Sequence, residues 1–220
     1  MADDLDPLAP NAAADRLKAR RAICSYGKQK RFFGADPSLA ARHKPIPKTI
    51  GYPAGTDTEI EAFRKRWPIG SVQRLCFELA FWTGARISDA VKIGPGTIGR
   101  DGVLQFTQQK TGEPTFIPWR CTLPAYAARM ITDRKLMHTA LDARSEKRMT
   151  FLAMRQGRSR PSKALGHFMS DAGTEMDIAK SAHGLRKARA KALAEAGATV
   201  HQIMAWTGHI TLEEVEHYTR

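Results

Sequence analysis

Between Ser71 and Gly84 the apolar side chains Val72, Leu75, Cys76, Leu79 and Ala80 recur at i, i+3, i+4, i+7 and i+8. That spacing predicts a core helix, and Gly84 is placed to stop it. Similar patterns predict helices over 123–138, 162–171 and 183–196, the last with Leu185, Ala188, Leu193 and Ala196 on one side and Gly197 at its end. Thr56 and Glu59 stand in capping-box spacing ahead of Ile60 and Phe63, so another helix starts there. Near the end, Thr199 leads Val200–Trp206, Gly208 breaks the pattern, and Thr211 with Glu214 offers a second box for 212–220. The exception to helical periodicity follows the glycine-rich run GPGTIGRDG, where 103–109 and 114–118 read as two strands joined by Lys110-Thr111-Gly112-Glu113. The expected fold class is therefore α+β, mainly helical with a small antiparallel β-sheet.

Two hundred and twenty residues allow one domain and a short appendage. The segment 34–55 carries four prolines and three glycines and reads as a linker, so the compact domain is expected at 56–220, preceded by one helix over 11–33 with a basic side. There is no internal repeat. No run approaches the ~18 apolar residues of a membrane helix, and the first residues, MADDLDPLAP, are acidic where a secretory signal is basic and then apolar. Cys24, Cys76 and Cys121 lie far apart with no CxxC pair, which suggests neither a disulfide framework nor a cysteine zinc site, and fits a reducing cytoplasm.

Thirty-five Lys and Arg against 22 Asp and Glu leave a net charge of +13. A polyanion is the natural partner: nucleic acid, or an anionic membrane surface. The basic residues come in patches, near the start, at Arg64-Lys65-Arg66, over 144–163, and at Lys187, Arg189 and Lys191. Each patch is either a solvated helix face or a set of phosphate-backbone contacts.

A few residues could carry chemistry. His183 and Arg186 are three apart near the start of a helix, where backbone N–H groups and the helix dipole favour an anion. Arg86 follows a helix end, with Asp89 three residues on to fix its guanidinium. Lys110 sits at the hairpin tip, and His209 is followed nine residues later by Tyr218. Taken singly, each has a bland reading as a surface residue, a structural ion pair or a core-facing aromatic. His43, His138, His167, His201 and His217 show no recognised metal-ligand spacing, so no metal site and no cofactor is expected. Trp82 and Trp206 lie among apolar neighbours and read as core.

The order of these residues changes their weight. At Arg86, Lys110, His183-x-x-Arg186 and His209-x8-Tyr218 the chain resembles the catalytic domain of the tyrosine recombinases, the phage-integrase family. "TGARISDAVKI" looks like that family's first-arginine box, "QQKTGEPTFIP" its lysine hairpin, "HGLRKARAKALAEAGA" its HxxR helix and "IMAWTGHITLEEVEHYTR" its terminal His and Tyr segment. The resemblance spans 56–220 and implies the family's DNA breaking-rejoining fold. It also implies roles: Tyr218 as nucleophile forming a 3′-phosphotyrosyl link, Arg86 and Arg186 on the nonbridging phosphate oxygens, and Lys110 as the acid for the leaving 5′-oxygen. His183 would be the general base, His209 a hydrogen-bond partner of the scissile phosphate, and Asp89 a support that orients Arg86 or a neighbouring histidine. A site-specific recombinase of a bacterial phage or genomic island is implied, acting on double-stranded DNA in the cytoplasm at the nucleoid, as a homo-tetramer, without metal or ATP.

The resemblance is incomplete at both ends. Family members usually carry a helical core-binding domain of roughly a hundred residues before the catalytic one and continue past the tyrosine. Here 55 residues precede Thr56 and two follow Tyr218, so 1–55 reads as the remnant of such a domain, and the chain as either a fragment or a natural truncation. Two other functions stay open: a catalytically silent remnant that binds DNA, and a helix-turn-helix regulator. Glu213, Glu214 and Glu216 on the would-be recognition helix argue against the latter.

Overall fold

In a computed structural model of the chain, residues 5–47, 53–144, 148–178 and 182–216 are described. Two compact units divide it, Met1–Gly51 and Tyr52–Arg220. In the first, α1 (Pro10–Gln29) opens with proline at its first position, where a missing N–H costs nothing. Past α1 the chain reverses through Arg31, at φ +58°. Gly27 lies beneath this reversal, its carbonyl accepting the Phe32 N–H at 3.0 Å and the Phe33 ring resting on it. Residues 34–47, expected as an open linker, instead supply Ala41 to a small buried cluster with Leu5, Ala13 and Leu17. Arg21 donates to the Ala41 carbonyl at 3.2 Å.

The second unit is built around one helix. Thr56 and Glu59 form the expected capping box at the head of α2 (Asp57–Arg66). Ser71 caps α3 (Val72–Thr83), and Gly84 ends it in the left-handed conformation at φ +63°. The short α4 (Ile87–Ala90), which periodicity did not signal, follows Arg86. Strands β1 (Val103–Thr107) and β2 (Pro114–Pro118) pair antiparallel with Gln105 opposite Phe116. A 3-10 segment, Ala125–Met130, then leads into α5 (Ile131–Asp142), where a single helix from 123 was expected. The remaining elements are α6 (Ser162–Thr174), α7 (Ala182–Glu195), α8 (Val200–Thr207) and α9 (Leu212–Glu216). Described residues thus form a mainly helical α+β domain with a two-stranded sheet.

Helix α3 packs against α5, α6 and α7, while α8 lies on β2. Its apolar pattern thereby becomes the centre of the core, where each fully buried large side chain contributes roughly 1.5–3 kcal/mol. Trp82 and Trp206 are both fully buried, as expected, and meet edge to face with centroids 5.1 Å apart. The Trp206 indole also donates to the Trp82 carbonyl at 3.1 Å, tying α8 to the end of α3.

A charged layer lies beside this core and corrects the reading of two basic patches as solvated or phosphate-facing. Arg64, at the end of α2, binds both Glu78 oxygens at 3.0 Å and Asp133 at 2.9 Å. Arg74 reaches Glu78 at 2.7 Å, and Arg189 reaches Asp133 at 2.9 Å. Arg189 is fully buried, its guanidinium 4.2 Å from the Phe81 ring centroid. These arginines face inward because α3 and α5 bring carboxylates to meet them, which compensates the desolvation of a buried guanidinium. Lys65, Arg66 and Lys191 of the same runs remain exposed.

Candidate active site

Four segments carry the sequence-marked residues that the structure describes, each fixed by a local device. The first is the turn after α3. Gly84 permits the left-handed stop, and the Ala85 N–H donates to the Thr83 hydroxyl at 3.1 Å, so Arg86 emerges at the start of α4. The second is the hairpin. Gln108 leaves the strand, but its N–H still bonds the Glu113 carbonyl at 2.9 Å, and Gly112 turns at φ +75°, leaving Lys110 exposed at the tip. The third is α7, which carries His183 and Arg186 one turn apart. In the fourth, the end of α8, Gly208 at φ +66° turns the chain so that His209 points back into the domain at 9% exposure.

The two arginines share a scaffold. Arg186 is buried and donates to the Gly84 carbonyl at 3.0 Å and to the Thr207 carbonyl. Arg86 donates to the Gln108 side-chain oxygen, and the Gln108 amide nitrogen donates to the same Thr207 carbonyl. The φ of +66° favours glycine at position 208, where a Cβ would also press on the Gln108 side-chain amide and the Thr115 methyl. Gln108 is itself only 1% exposed. Sequence reasoning passed over it: a glutamine beside a turn lysine looks solvated, and its partners lie 22 and 99 residues away.

Asp89 has a different position from the one expected. Its Oδ1 accepts the Gln109 N–H at 2.9 Å, so it braces the hairpin next to Lys110 rather than the Arg86 guanidinium. Tyr218 and His217 lie outside the described residues.

The histidines sense the cluster. Burial pushes the His209 pKa down to about 3, helped by the positive charges of Arg186 and Arg86 and by His183. Partial burial also lowers His183, and Arg186, Lys187, Arg86 and Lys110 act on it in the same direction. Both rings are therefore neutral at pH 7, and Nδ1 of His209 lies 2.6 Å from the Thr207 hydroxyl. A neutral imidazole beside two guanidiniums can accept a proton or share one with an oxygen, and the guanidiniums can hold an oxyanion. No group of three or more His, Cys, Asp or Glu side chains that could hold a metal ion occurs among the described residues.

The His209 shift has a measurable consequence. An unfolded histidine binds its proton near pH 6.5, while the folded one refuses it until about pH 3. Stability is accordingly full above pH 6.5 and falls on acidification through that window. At pH 5 the loss attributable to His209 is about 2 kcal/mol, at 1.36 kcal/mol per pH unit. Thermal unfolding of His209→Gln should show a flatter decline between pH 6.5 and 5 than the parent, and parallel curves would contradict the assignment.

The described residues form a helical body whose one hairpin carries Lys110 exposed at its tip and Gln108 against Arg86. A family model described as "Phage integrase family" matches residues 58–220. The chain belongs to the phage integrase family. No curated protein matches it in sequence. Among solved structures, a lambda integrase dimer bound to a COC′ core site superposes with a TM-score of 0.73 at 20% identity, over 96% of this chain and 74% of that one. A lambda integrase tetramer bound to a Holliday junction gives 0.72 at 21% identity, over 96% and 62%. The Tn1549 transposon integrase with transposon right-end DNA gives 0.64 at 12%, over 97% and 76%. The chain thus spans between about three fifths and three quarters of the length of these relatives. Among its described residues, no helix is long and apolar enough to cross a membrane.

Proposed function

We propose that this chain is a site-specific recombinase that cleaves and rejoins double-stranded DNA through a 3′-phosphotyrosyl intermediate. The observation that carries the reading is the convergence of Arg86 and Arg186, separated by a hundred residues of chain, on one scaffold beside two neutral imidazoles. Attack on a phosphodiester places negative charge on the nonbridging oxygens. Two guanidiniums fixed beforehand stabilise that charge without reorganising during the reaction.

In the proposed step the Tyr218 oxygen bonds to phosphorus and the bond to the 5′-oxygen breaks. His183, neutral at pH 7, takes the phenol proton, and Lys110 supplies one to the leaving oxygen. The Thr207 hydroxyl donates its proton to the Ile203 carbonyl at 2.6 Å, so it accepts from Nδ1–H of the neutral His209, whose Nε2 would hydrogen-bond the phosphate on taking up a proton. The covalent link retains the energy of the broken bond, so a 5′-hydroxyl from a second duplex can reverse the step and exchange strands. Asp89 supports Lys110 by fixing the Gln109 backbone. Residues 56–220 would be the catalytic domain, and 1–55 would belong to a core-binding region. The working assembly would be a homo-tetramer on DNA in a bacterial cytoplasm. Lambda integrase has been seen as a dimer and a tetramer on DNA, which supports that expectation.

The test is incubation with nicked duplexes drawn from the DNA flanking the gene, in which the short strand released by cleavage diffuses away and traps the adduct. The parent should form a denaturation-resistant protein–DNA species, and Tyr218→Phe should form none. If neither forms an adduct while both bind duplex DNA in a salt-dependent way, the chain is a silent DNA-binding remnant instead.

A further inference from the structure

We infer that Gln108 is a positioning residue that sets the spacing of the two arginines, holding Arg86 and Arg186 in register as one phosphate clamp. This rests on the proposed reading of the arginine pair, and assigns a role to a residue the motif comparison left out.

The argument is one of donors and acceptors. Between Arg86 and Arg186 lie two groups: the side-chain amide of Gln108 and the carbonyl of Thr207. The Gln108 oxygen accepts from Arg86, and also from the Thr111 hydroxyl at 3.3 Å. Its nitrogen donates to the Thr207 oxygen, which takes a second hydrogen bond from Arg186. An amide has one acceptor end and one donor end, so it can join a guanidinium to a carbonyl. A carboxylate in the same place would present an oxygen to the Thr207 oxygen and cancel charge needed at the phosphate; an apolar side chain would join nothing.

The backbone is arranged around this contact. Gln108 is held between its own N–H bond to Glu113 and its carbonyl bond from Gly112, both 2.9 Å, so the amide projects from a closed turn. Gly208 leaves the space that the amide occupies. The neighbouring Gln109 is fixed by Asp89 from the arginine-bearing loop. The hairpin carrying Lys110 and the loop carrying Arg86 are thereby coupled twice, and the amide extends the coupling to the end of α8.

Two measurements test the inference, and only one depends on cleavage. In the first, single-turnover adduct formation on the nicked duplex is compared for the parent, Gln108→Met and Gln108→Glu, each checked for an unchanged melting transition. A clamp out of register by a fraction of an ångström to an ångström should slow the step by ~10- to 100-fold, with affinity for an intact duplex altered far less. Combining Gln108→Met with Arg86→Lys should cost little more than Arg86→Lys alone, because the glutamine acts through the arginine. In the second, side-chain NMR of the arginines reads guanidinium rotation without DNA. Arg86 should rotate slowly in the parent and freely in Gln108→Met, with Arg189 unchanged. Parent-like cleavage by Gln108→Met, fully additive effects, or an Arg86 signal indifferent to the substitution would overturn the inference. If the parent itself forms no adduct, the recombinase reading fails and the NMR comparison alone decides the role of Gln108.

Discussion

Arg186→Lys is expected to slow strand cleavage by ~10²- to 10³-fold, the usual cost of losing one preorganised donor to a developing oxyanion. Lysine keeps the positive charge, so the loss would isolate geometry. The guanidinium of Arg186 is buried and anchored to the Gly84 and Thr207 carbonyls, which orients its planar fork. A flexible ammonium has no such fork and cannot satisfy two carbonyls and a phosphate in fixed directions. Binding to intact duplex should change only modestly, since non-specific affinity is spread over many phosphate contacts. Adduct formation followed over time on the nicked substrate measures the first effect, and a salt titration of binding the second. A cleavage rate within threefold of the parent would mean that Arg186 has no part in holding the phosphate.

The largest effect on stability is expected from Glu78→Gln. Glu78 is 1% exposed and lies between Arg64 and Arg74, with contacts of 2.7–3.0 Å to both. Neutralising it leaves two buried guanidiniums short of their countercharge. Breaking such a pair from one side costs about 3–5 kcal/mol. For a unit of this size each kcal/mol lowers the melting temperature by roughly 2–4 °C, so a fall on the order of 10 °C is expected. Arg66→Ala is the control, because Arg66 and Glu175 are each half-exposed and such surface pairs contribute little. If the two variants melt within a few degrees of each other, the buried layer is not the structural element its geometry indicates.

The sequence exposed those features whose causes are local. Thr56 with Glu59, Gly84 and Gly208 each act within one helical turn, and the structure uses every one as a cap or a stop. The hairpin was legible from strand alternation and a four-residue turn, and the α3 stripe from its period. Thr199 does more than lead its helix: it forms a full box with Gln202. What stayed hidden depends on partners far along the chain. Arg64 and Arg189 look like solvated bases until α5 brings Asp133 between them. Gln108 looks like turn filler until the ends of α3 and α8 close around it. Asp89 was expected to orient Arg86 or a neighbouring histidine, whereas its Oδ1 accepts a backbone N–H twenty residues on. At the tail, the Thr211 hydroxyl accepts the Glu214 N–H at 3.3 Å as expected, while the Glu214 side chain accepts from Ile210 instead of Thr211.

The bonds that join Arg186 to Gly84, Gln108 to Thr207 and Trp206 to Trp82 span 102, 99 and 124 residues of chain. Contacts of such length close late, once the polymer has already collapsed. A nascent or proteolysed piece of this protein would therefore carry the motifs without the long-range bonds that hold Arg86 and Arg186 on one scaffold. On the proposed function, competence to break a strand would arrive together with completion of the tertiary structure.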